Sequence, residues 1–149
     1  MLIESGGDPI LKHPNLEIID RFFEAYIQRD WNELKKVLSL DARWSFPGKH
    51  PYGGWRNGFE EVIQFFDTMG SVMGKSNVKA EKLIVAANDD YVIESQHVFT
   101  NREDGINLDH LVCVLWKFAG GKIVEGIHFF ASPVEADSFF TKISQKNLE

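Results

Sequence analysis

The chain has 149 residues, is 44% hydrophobic and 13% aromatic, and carries a formal net charge of −6. This length and composition predict one globular domain that folds unaided, and the acidic balance disfavours nucleic acids and anionic membranes as partners. The single cysteine, Cys113, excludes an internal disulfide, and no apolar run reaches the length of a membrane span, so we expect a cytoplasmic protein.

The first half of the chain predicts helices with one short strand between them. A leader over residues 1–14 is punctuated by glycine and proline, and Asn15 is a good N-cap for the helix that follows it. Asp30 is expected to cap the second helix. A short strand is predicted over residues 42–46, before a loop rich in glycine and aromatic residues over residues 47–55. Apolar residues recur at helical spacing in three segments, over residues 16–27, 31–38 and 58–69.

The second half predicts an antiparallel meander and a closing helix. Turn signals separate four runs of β-type residues, over residues 78–87, 91–100, 106–118 and 123–132. Pro133 ends the last run, and a short helix over residues 134–143 completes a domain that spans residues 15–143, before a tail over residues 144–149. Helices followed by a meander predict an α+β domain, with the helices packed on one face of a curved sheet.

The last three strand-like runs each contain one histidine, and these are His97, His110 and His128. Side chains alternate between the two faces of a strand, and in each run the face with the histidine has no charged residue within the strand. Histidine is the side chain whose ordinary pKa lies closest to neutrality. The three imidazoles are therefore predicted to converge on one apolar surface and to form part of a pocket.

A turn over residues 102–105 would place two of these histidines directly opposite each other. In that register His97 lies across from His110, with their Cβ atoms about 5 Å apart. The face of the strand that carries His97 then looks into the pocket, whereas Glu94 and Gln96 point away from it.

The next hairpin is predicted to bring His128 close to His110. A turn over residues 119–121 pairs His128 with Val112, so that the two histidines are diagonal neighbours at roughly 7–8 Å. A two-residue turn would instead send Glu125 into the pocket, so the longer turn is favoured. Three imidazoles this close together cannot all be charged cheaply in an apolar cavity, and some should be neutral near pH 7 and available as a general base.

The opposite face of the sheet is predicted to be apolar at positions where contact with water would favour polar residues. Its apolar side chains are Leu111, Cys113, Leu115, Ile123, Ile127 and Phe129. This stripe predicts a homodimer formed through the outer face of the sheet.

Several segments occur in an order and spacing that resemble those of one family. Besides the N-terminal helix, they are residues 29–34, 42–48, 58–62 and 121–125. Over about residues 14–140 the chain resembles the SnoaL-like polyketide cyclases, of the nuclear-transport-factor-like and ketosteroid-isomerase-like superfamily. The resemblance implies a cone-shaped, cystatin-like fold in which N-terminal helices pack on the concave face of a curved antiparallel sheet. It also implies a deep cavity, frequent dimerisation through the outer sheet face, and cofactor-independent acid–base chemistry in the members that are enzymes.

The catalytic residues of the ketosteroid isomerases in this superfamily are not retained. By the resemblance, their tyrosine on the first helix falls on Phe22, their aspartate in the first strand falls on Phe46, and their protonated acid falls on Val114. In SnoaL-like cyclases the acid–base aspartate of the last strand falls on His128. The resemblance therefore implies an acid–base group at His128, with a different charge and working pH.

We expect the cavity to bind a small hydrophobic molecule that carries a carbonyl group or a ring. His128 is the expected acid or base in an isomerase-, cyclase- or lyase-type proton transfer, with His110 and His97 as its hydrogen-bonding and electrostatic partners. The predicted substrate-binding residues are Trp44, Phe46, Tyr52, Trp55, Phe22, Val114, Trp116 and Phe130.

Other interpretations of the same residues remain open. A module that binds a hydrophobic metabolite without turnover is consistent with the loss of the isomerase residues, and a histidine on an apolar face is often a structural residue that bonds a backbone carbonyl. Three neutral imidazoles also suit zinc, but the histidines lack ligand-like spacing and the families resembled need no metal. We therefore expect neither a metal nor another cofactor.

Overall fold

The computed structural model describes residues 12–146 and gives an α+β domain in which helices lie against one face of a six-stranded sheet. The helices are α1 (Pro14–Gln28), α2 (Trp31–Val37), α3 (Phe59–Gly74) and α4 (Pro133–Lys146). The strands are β1 (Leu38–Phe46), β2 (Gly54–Asn57), β3 (Lys79–Ala87), β4 (Tyr91–Phe99), β5 (Asp109–Ala119) and β6 (Lys122–Phe130). Most of the predicted leader and the end of the predicted tail, residues 1–11 and 147–149, lie outside the described residues.

The sheet follows the order β2-β1-β6-β5-β4-β3, with β6 and β5 at its centre. Neighbouring strands are antiparallel except β1 and β6, which run parallel and pair Trp44 with Gly126. The predicted α+β class is confirmed, with one parallel pair in the expected antiparallel sheet. Strand β2 is an addition, since it occupies the end of a segment for which the sequence predicts a loop.

Side-chain hydrogen bonds fix where the first two helices begin. The N-cap of α1 is His13, whose Nδ1 accepts a hydrogen bond from the backbone N–H of Asn15 at 3.0 Å. The prediction of Asn15 as the cap is wrong, because its amide donates to the carbonyl oxygens of Asn88 and Asp89 at 2.9 and 3.1 Å. These bonds tie α1 to the turn between β3 and β4. The predicted cap of α2 is confirmed, since the Asp30 carboxylate accepts a backbone hydrogen bond at 3.2 Å.

The connection between β4 and β5 is longer than the predicted turn, and this changes the face that His97 occupies. Within it, Asn107 Oδ1 accepts hydrogen bonds from Thr100 Oγ1 at 2.9 Å and from a backbone N–H at 2.7 Å. In the resulting register His97 pairs with Leu111, one position away from the predicted partner, His110. The predicted histidine pair is therefore wrong, because a slip of one residue moves every side chain of a strand to the other face.

Strands β5 and β6 are joined by a two-residue turn. Its residues, Gly120 and Gly121, have φ values of 58° and 77°, which glycine adopts without strain. The prediction of a longer turn is therefore wrong. A β-bulge follows the turn, because β6 contains one extra residue, Val124, opposite a single step of β5.

The two-residue turn shifts the alternation of inward and outward side chains in β6 by one residue, and the bulge shifts it back. Glu125 stays on the outer face, and His128 points inwards, opposite Val114 and not opposite the predicted partner Val112. Ile123 is also turned inwards and is fully buried. The prediction that Ile123 belongs to the outer apolar stripe is therefore wrong.

Aromatic side chains fill the core between the sheet and the helices. Phe22 of α1 is fully buried, and its ring lies edge-on to Trp116 with the centroids 6.0 Å apart. The Trp44 ring contacts Trp116 at a centroid distance of 5.0 Å and lies over Gly126, where any Cβ atom would collide with the indole. Close packing of β1 against β6 therefore requires glycine at that position.

Candidate functional site

A cavity of about 220 Å³ lies between the inner face of the sheet and helices α3 and α4. It is lined by Phe46, Phe65, Phe66, Met69, Met73, Val78, Ala80, Gln96, Val98, Leu108, His110, Val112, His128, Phe130 and Phe140. Among residues 12–146, the lining contains two imidazoles and one amide, and no carboxylate, ammonium or guanidinium group. The cavity is therefore suited to an uncharged, largely hydrophobic molecule.

Four of the lining residues lie together at one end of the cavity, and one of them, Ala80, is exposed. They are Met69 and Met73 in the second half of α3, Val78 just before β3, and Ala80 in β3. Because β3 is an edge strand of the sheet, this end faces solvent between α3 and β3. We identify it as the entrance.

Only part of the predicted substrate-binding set reaches the cavity. Phe46 and Phe130 line it, whereas four others are buried in the core behind the lining, and these are Phe22, Trp44, Val114 and Trp116. Tyr52 packs against Phe140 at a centroid distance of 6.1 Å and does not line the cavity. Trp55 is 45% exposed and its ring lies under the Arg43 guanidinium, so the prediction that these two residues contact a ligand in the cavity is not supported by their positions.

His128 lies at the deep end of the cavity among three aromatic rings. Its ring centroid is 5.0 Å from that of Phe46, 5.7 Å from that of Trp44 and 6.2 Å from that of Phe65. Its Nε2 atom is buried and has no hydrogen-bond partner among residues 12–146. Burial disfavours the imidazolium form and lowers the pKa of His128 from 6.5 to about 4. At pH 7 the ring is neutral and can donate or accept a hydrogen bond at Nε2, depending on the tautomer.

His110 lies nearer to the entrance, and its side chain is buried. Its ring contacts Phe130 with the centroids 5.1 Å apart, and its Nδ1 atom has no hydrogen-bond partner in the described part of the chain. Burial lowers the pKa of His110, while the negative charges of Glu135 and Asp109 act in the opposite direction. A second neutral imidazole therefore faces the cavity near pH 7.

The two cavity histidines are not direct partners of each other. His128 pairs with Val114, which lies four residues along β5 from His110. At a rise of about 3.3 Å per residue, the two positions are roughly 13 Å apart along the strand direction. The predicted diagonal contact is therefore wrong, and the two imidazoles flank the cavity from opposite ends.

His97 lies on the outer face of the sheet and is no part of the cavity. Its Nε2 is 2.6 Å from Asp109 Oδ1, and its Nδ1 is 3.1 Å from Glu81 Oε1. The hydrogen bonds to Asp109 and then to Glu81 raise the pKa of His97, because both carboxylates favour the imidazolium form. Its predicted role beside His128 is therefore ruled out by position.

The register of β4 places two polar residues in the interior that the sequence analysis assigned to the outside. Gln96 lines the cavity, and its Nε2 donates a hydrogen bond to Glu94 Oε2 at 3.2 Å. Glu94 is only 7% exposed, and Lys82 Nζ lies 3.8 Å from its carboxylate. On this face both residues lie between Val92 and Val98, and these valines are the signal in the sequence for an inward orientation.

Two further properties follow from the described residues. Within residues 12–146, no group of three histidine, cysteine or acidic side chains is arranged to hold a metal ion. The helices of the same segment include none that is both long enough and apolar enough to span a lipid bilayer.

The family can be assigned from the sequence match together with this fold. Residues 19–126 match the model of the SnoaL-like domain. The chain belongs to the SnoaL-like family. The resemblance to this family is thereby confirmed. His128 lies two residues beyond the matched segment, so the match does not define its role in this SnoaL-like protein.

Similar proteins extend over most of the chain. An uncharacterized protein of Mycobacterium tuberculosis is 28% identical over 127 residues, which cover 85% of this chain and 95% of that protein. The structure of Bal32a, from a soil-derived mobile gene cassette, has a TM-score of 0.69 and 27% identity, covering 85% of this chain and 96% of that one. An NTF2-like protein of Burkholderia pseudomallei has a TM-score of 0.67 at 19% identity, covering 87% and 99%. The SnoaL-like chain therefore has the nuclear-transport-factor-like, cystatin-like fold.

Proposed function

We propose that this protein binds a small hydrophobic carbonyl or ring compound in its cavity, and that His128 transfers a proton on that compound without a cofactor. The reaction would be of the isomerase, cyclase or lyase type. The supporting observation is the unpartnered Nε2 of His128, held in an apolar cavity between aromatic rings.

An unpartnered polar atom in this position is costly. A buried nitrogen without a hydrogen bond destabilises the fold by about 1–3 kcal/mol, and an aliphatic side chain would avoid that cost. None of the three aromatic side chains around His128 forms a hydrogen bond with its Nε2 atom. A bound molecule with a polar group at the deep end of the cavity would complete its hydrogen bonding.

A neutral imidazole can also carry out the proton transfer. It can take a proton from a carbon next to a carbonyl group, which forms an imidazolium and an enolate side by side in a site of low polarity. The opposite charges stabilise each other there, and if the compound has a C=C bond next to that carbon, return of the same proton to the far carbon of the dienolate moves the double bond and isomerises the compound. His110 and Gln96, at the other end, would orient the substrate.

A binding module without turnover is the second candidate. The observation that favours it is the lowered pKa of His128, about 4, which makes the free imidazole a weak base at pH 7. The lining residues that the structure describes also include no carboxylate that could stabilise the imidazolium. In this alternative His128 would serve only as a hydrogen-bonding group for the bound metabolite.

Deuterium exchange on a probe ketone distinguishes the two candidates. 2-Indanone is small enough for the cavity and has exchangeable hydrogens beside its carbonyl group. We expect the wild-type protein to accelerate exchange in D₂O, and His128→Ala to reduce that acceleration by about a hundredfold or more, as for loss of a general base. His97→Ala is the matched control, because His97 lies on the outer face, and it should leave exchange unchanged.

Equal exchange rates with the wild-type and His128→Ala proteins would contradict the enzymatic proposal. If 2-indanone also shifts the NMR signals of the His128 and His110 rings in that case, the binding module is the better description. If no ring signal moves, the cavity is not a ligand site and both candidates fail.

A further inference from the structure

We infer that the cavity selects an uncharged, single-ring or fused two-ring compound with a hydrogen-bonding group at each end, one for His128 and one for Gln96 and His110. This inference rests on the proposed function of the cavity and specifies the class of its substrate. It makes Gln96 a specificity-determining residue.

The volume of the cavity limits the size of the ligand. An apolar cavity of about 150 Å³ accommodates benzene, so a cavity of about 220 Å³ has room for a ring with a few substituents. At the same packing, this corresponds to roughly nine or ten non-hydrogen atoms. Pockets for drug-sized ligands are larger, at about 300–1,000 Å³. A four-ring skeleton therefore exceeds the space.

The charge around the cavity excludes anions. None of the lining residues in the described part of the chain is cationic, and burial lowers the pKa of both histidines. The buried carboxylate of Glu94 lies next to Gln96 on the inner face, with Lys82 as its cationic neighbour. A carboxylate on the ligand would lose its hydration without gaining a cation, which is unfavourable in an apolar site.

The hydrogen bond to Glu94 determines which way the Gln96 amide points. Gln96 Nε2 donates to Glu94 Oε2, so the NH₂ group of Gln96 faces Glu94. The carbonyl oxygen of Gln96 is consequently turned away from Glu94. Since Gln96 lines the cavity, this oxygen is available as an acceptor for a hydroxyl group of the ligand.

Gln96 and His110 form one polar end of the cavity, and His128 forms the other. Gln96 pairs with Val112, so His110 is its diagonal neighbour on the adjacent strand, at roughly 7–8 Å. His128 lies further along the sheet at the deep end, surrounded by Phe46, Phe65 and Trp44. Aromatic side chains line the cavity between these ends, which favours a flat ring with polar groups on opposite sides.

An isosteric pair of probes tests the requirement for two polar ends. 4-Hydroxybenzyl alcohol and 4-ethylphenol have the same number of non-hydrogen atoms, but only the first has polar groups on both sides of the ring. Dissociation constants come from NMR titrations that follow the histidine ring signals. We expect 4-hydroxybenzyl alcohol to bind about five- to tenfold more tightly, as for one additional hydrogen bond. 4-Hydroxybenzoate and the four-ring compound 17β-oestradiol should bind more weakly than either phenol.

Two variants assign the selectivity to Gln96. Gln96→Met has a similar shape but no amide, and it should reduce the ratio of the two dissociation constants to about one. If this variant fails to fold, Glu94→Gln provides the same test, because it removes the fixed orientation of the Gln96 amide. His128→Leu should weaken the binding of both phenols and should not strengthen the binding of 4-hydroxybenzoate.

The outcomes separate the class of ligand from the function of the cavity. If both phenols shift the His128 and His110 signals with equal affinity, or if the anion or the four-ring compound binds most tightly, the inferred class is wrong while the cavity function stands. If no probe shifts any imidazole signal, the proposed function fails and this inference fails with it.

Discussion

His128 and His97 respond to acid in opposite directions, because one is buried in an apolar cavity and the other lies between two carboxylates. The pKa of His128 is lowered to about 4, whereas in the unfolded chain it is about 6.5. The unfolded state therefore binds this proton first, and stability falls as the pH falls from 6.5 towards 4. The pKa of His97 is raised by Asp109 and Glu81, so its stabilising effect is complete below pH 6.5 and is lost as the pH rises through the raised pKa.

Replacement of His128 by leucine should separate these two effects. At pH 7 the free energy of unfolding should be unchanged or higher, because the variant removes an unpartnered buried nitrogen. Between pH 6.5 and pH 4 the variant should also avoid up to about 3 kcal/mol of acid destabilisation that the wild type undergoes. Guanidinium unfolding at pH 7.5, 6.0, 5.0 and 4.5 measures both quantities.

His97→Leu is the control for this experiment. It changes a histidine on the outer face, so the loss of stability below pH 6.5 that His128 causes should persist in it. A His128→Leu protein that unfolds at a lower guanidinium concentration at pH 7, with the acid dependence of the wild type, would show that His128 is a structural residue.

At the scale of strands and helices, the contact between β1 and β6 depends on the absence of a side chain at one position. A Cβ atom at Gly126 would collide with the ring of Trp44. Gly126→Ala should therefore destabilise the fold by about 1–3 kcal/mol and displace the indole that borders His128. Thermal unfolding and near-ultraviolet circular dichroism measure the two effects.

The control for Gly126→Ala is the same substitution at Gly70. Gly70 lies in the exposed part of α3, where an added Cβ meets no atom within 4 Å. Gly70→Ala should stabilise the protein by about 0.4–1 kcal/mol, because alanine restricts the unfolded chain and favours the helix. If both alanine variants unfold at the same temperature as the wild type, close packing at Gly126 is not a constraint.

The four helices, the strands other than β2, and the inner faces of β5 and of most of β6 could be predicted from the sequence because their patterns are strongly one-sided. His128 illustrates how a correct face can arise from two compensating errors. The short turn at Gly120 and Gly121 reverses the alternation, and the bulge at Val124 reverses it again. A bulge of this kind leaves no mark in the alternation of apolar residues, so its position could not be read from the sequence.

The orientation of β4 could not be predicted because both of its faces mix apolar and polar residues. One face carries Glu94 and Gln96 between valines, and the other carries His97 between Ser95 and Phe99. Periodicity does not distinguish two such faces. The register is set by hydrogen bonds inside the connection to β5, which depend on the folded loop. Gln96 was missed and His97 was misplaced for this one reason.

At the scale of the whole molecule, the outer face of the sheet retains an apolar surface. Leu111 and Phe129 are 49% and 51% exposed, and Cys113, Leu115 and Ile127 lie beside them on the two central strands. Nearby, the exposed side chains of Tyr91 and Ile93 extend the surface onto β4. A contiguous apolar surface of this kind marks an interaction site, and a second copy of the chain is the partner that we propose for it.

Leu111→Asp tests whether this surface forms a homodimer. The wild type should have twice the chain mass of 17.0 kDa by light scattering at micromolar concentration. Leu111→Asp should be a monomer, because burial of an unpaired carboxylate at the interface costs several kcal/mol. Gln64→Asp adds the same charge on α3, away from the sheet, and should leave the dimer intact. A wild-type protein that is already monomeric at this concentration would contradict the dimer and leave the apolar face without a known partner.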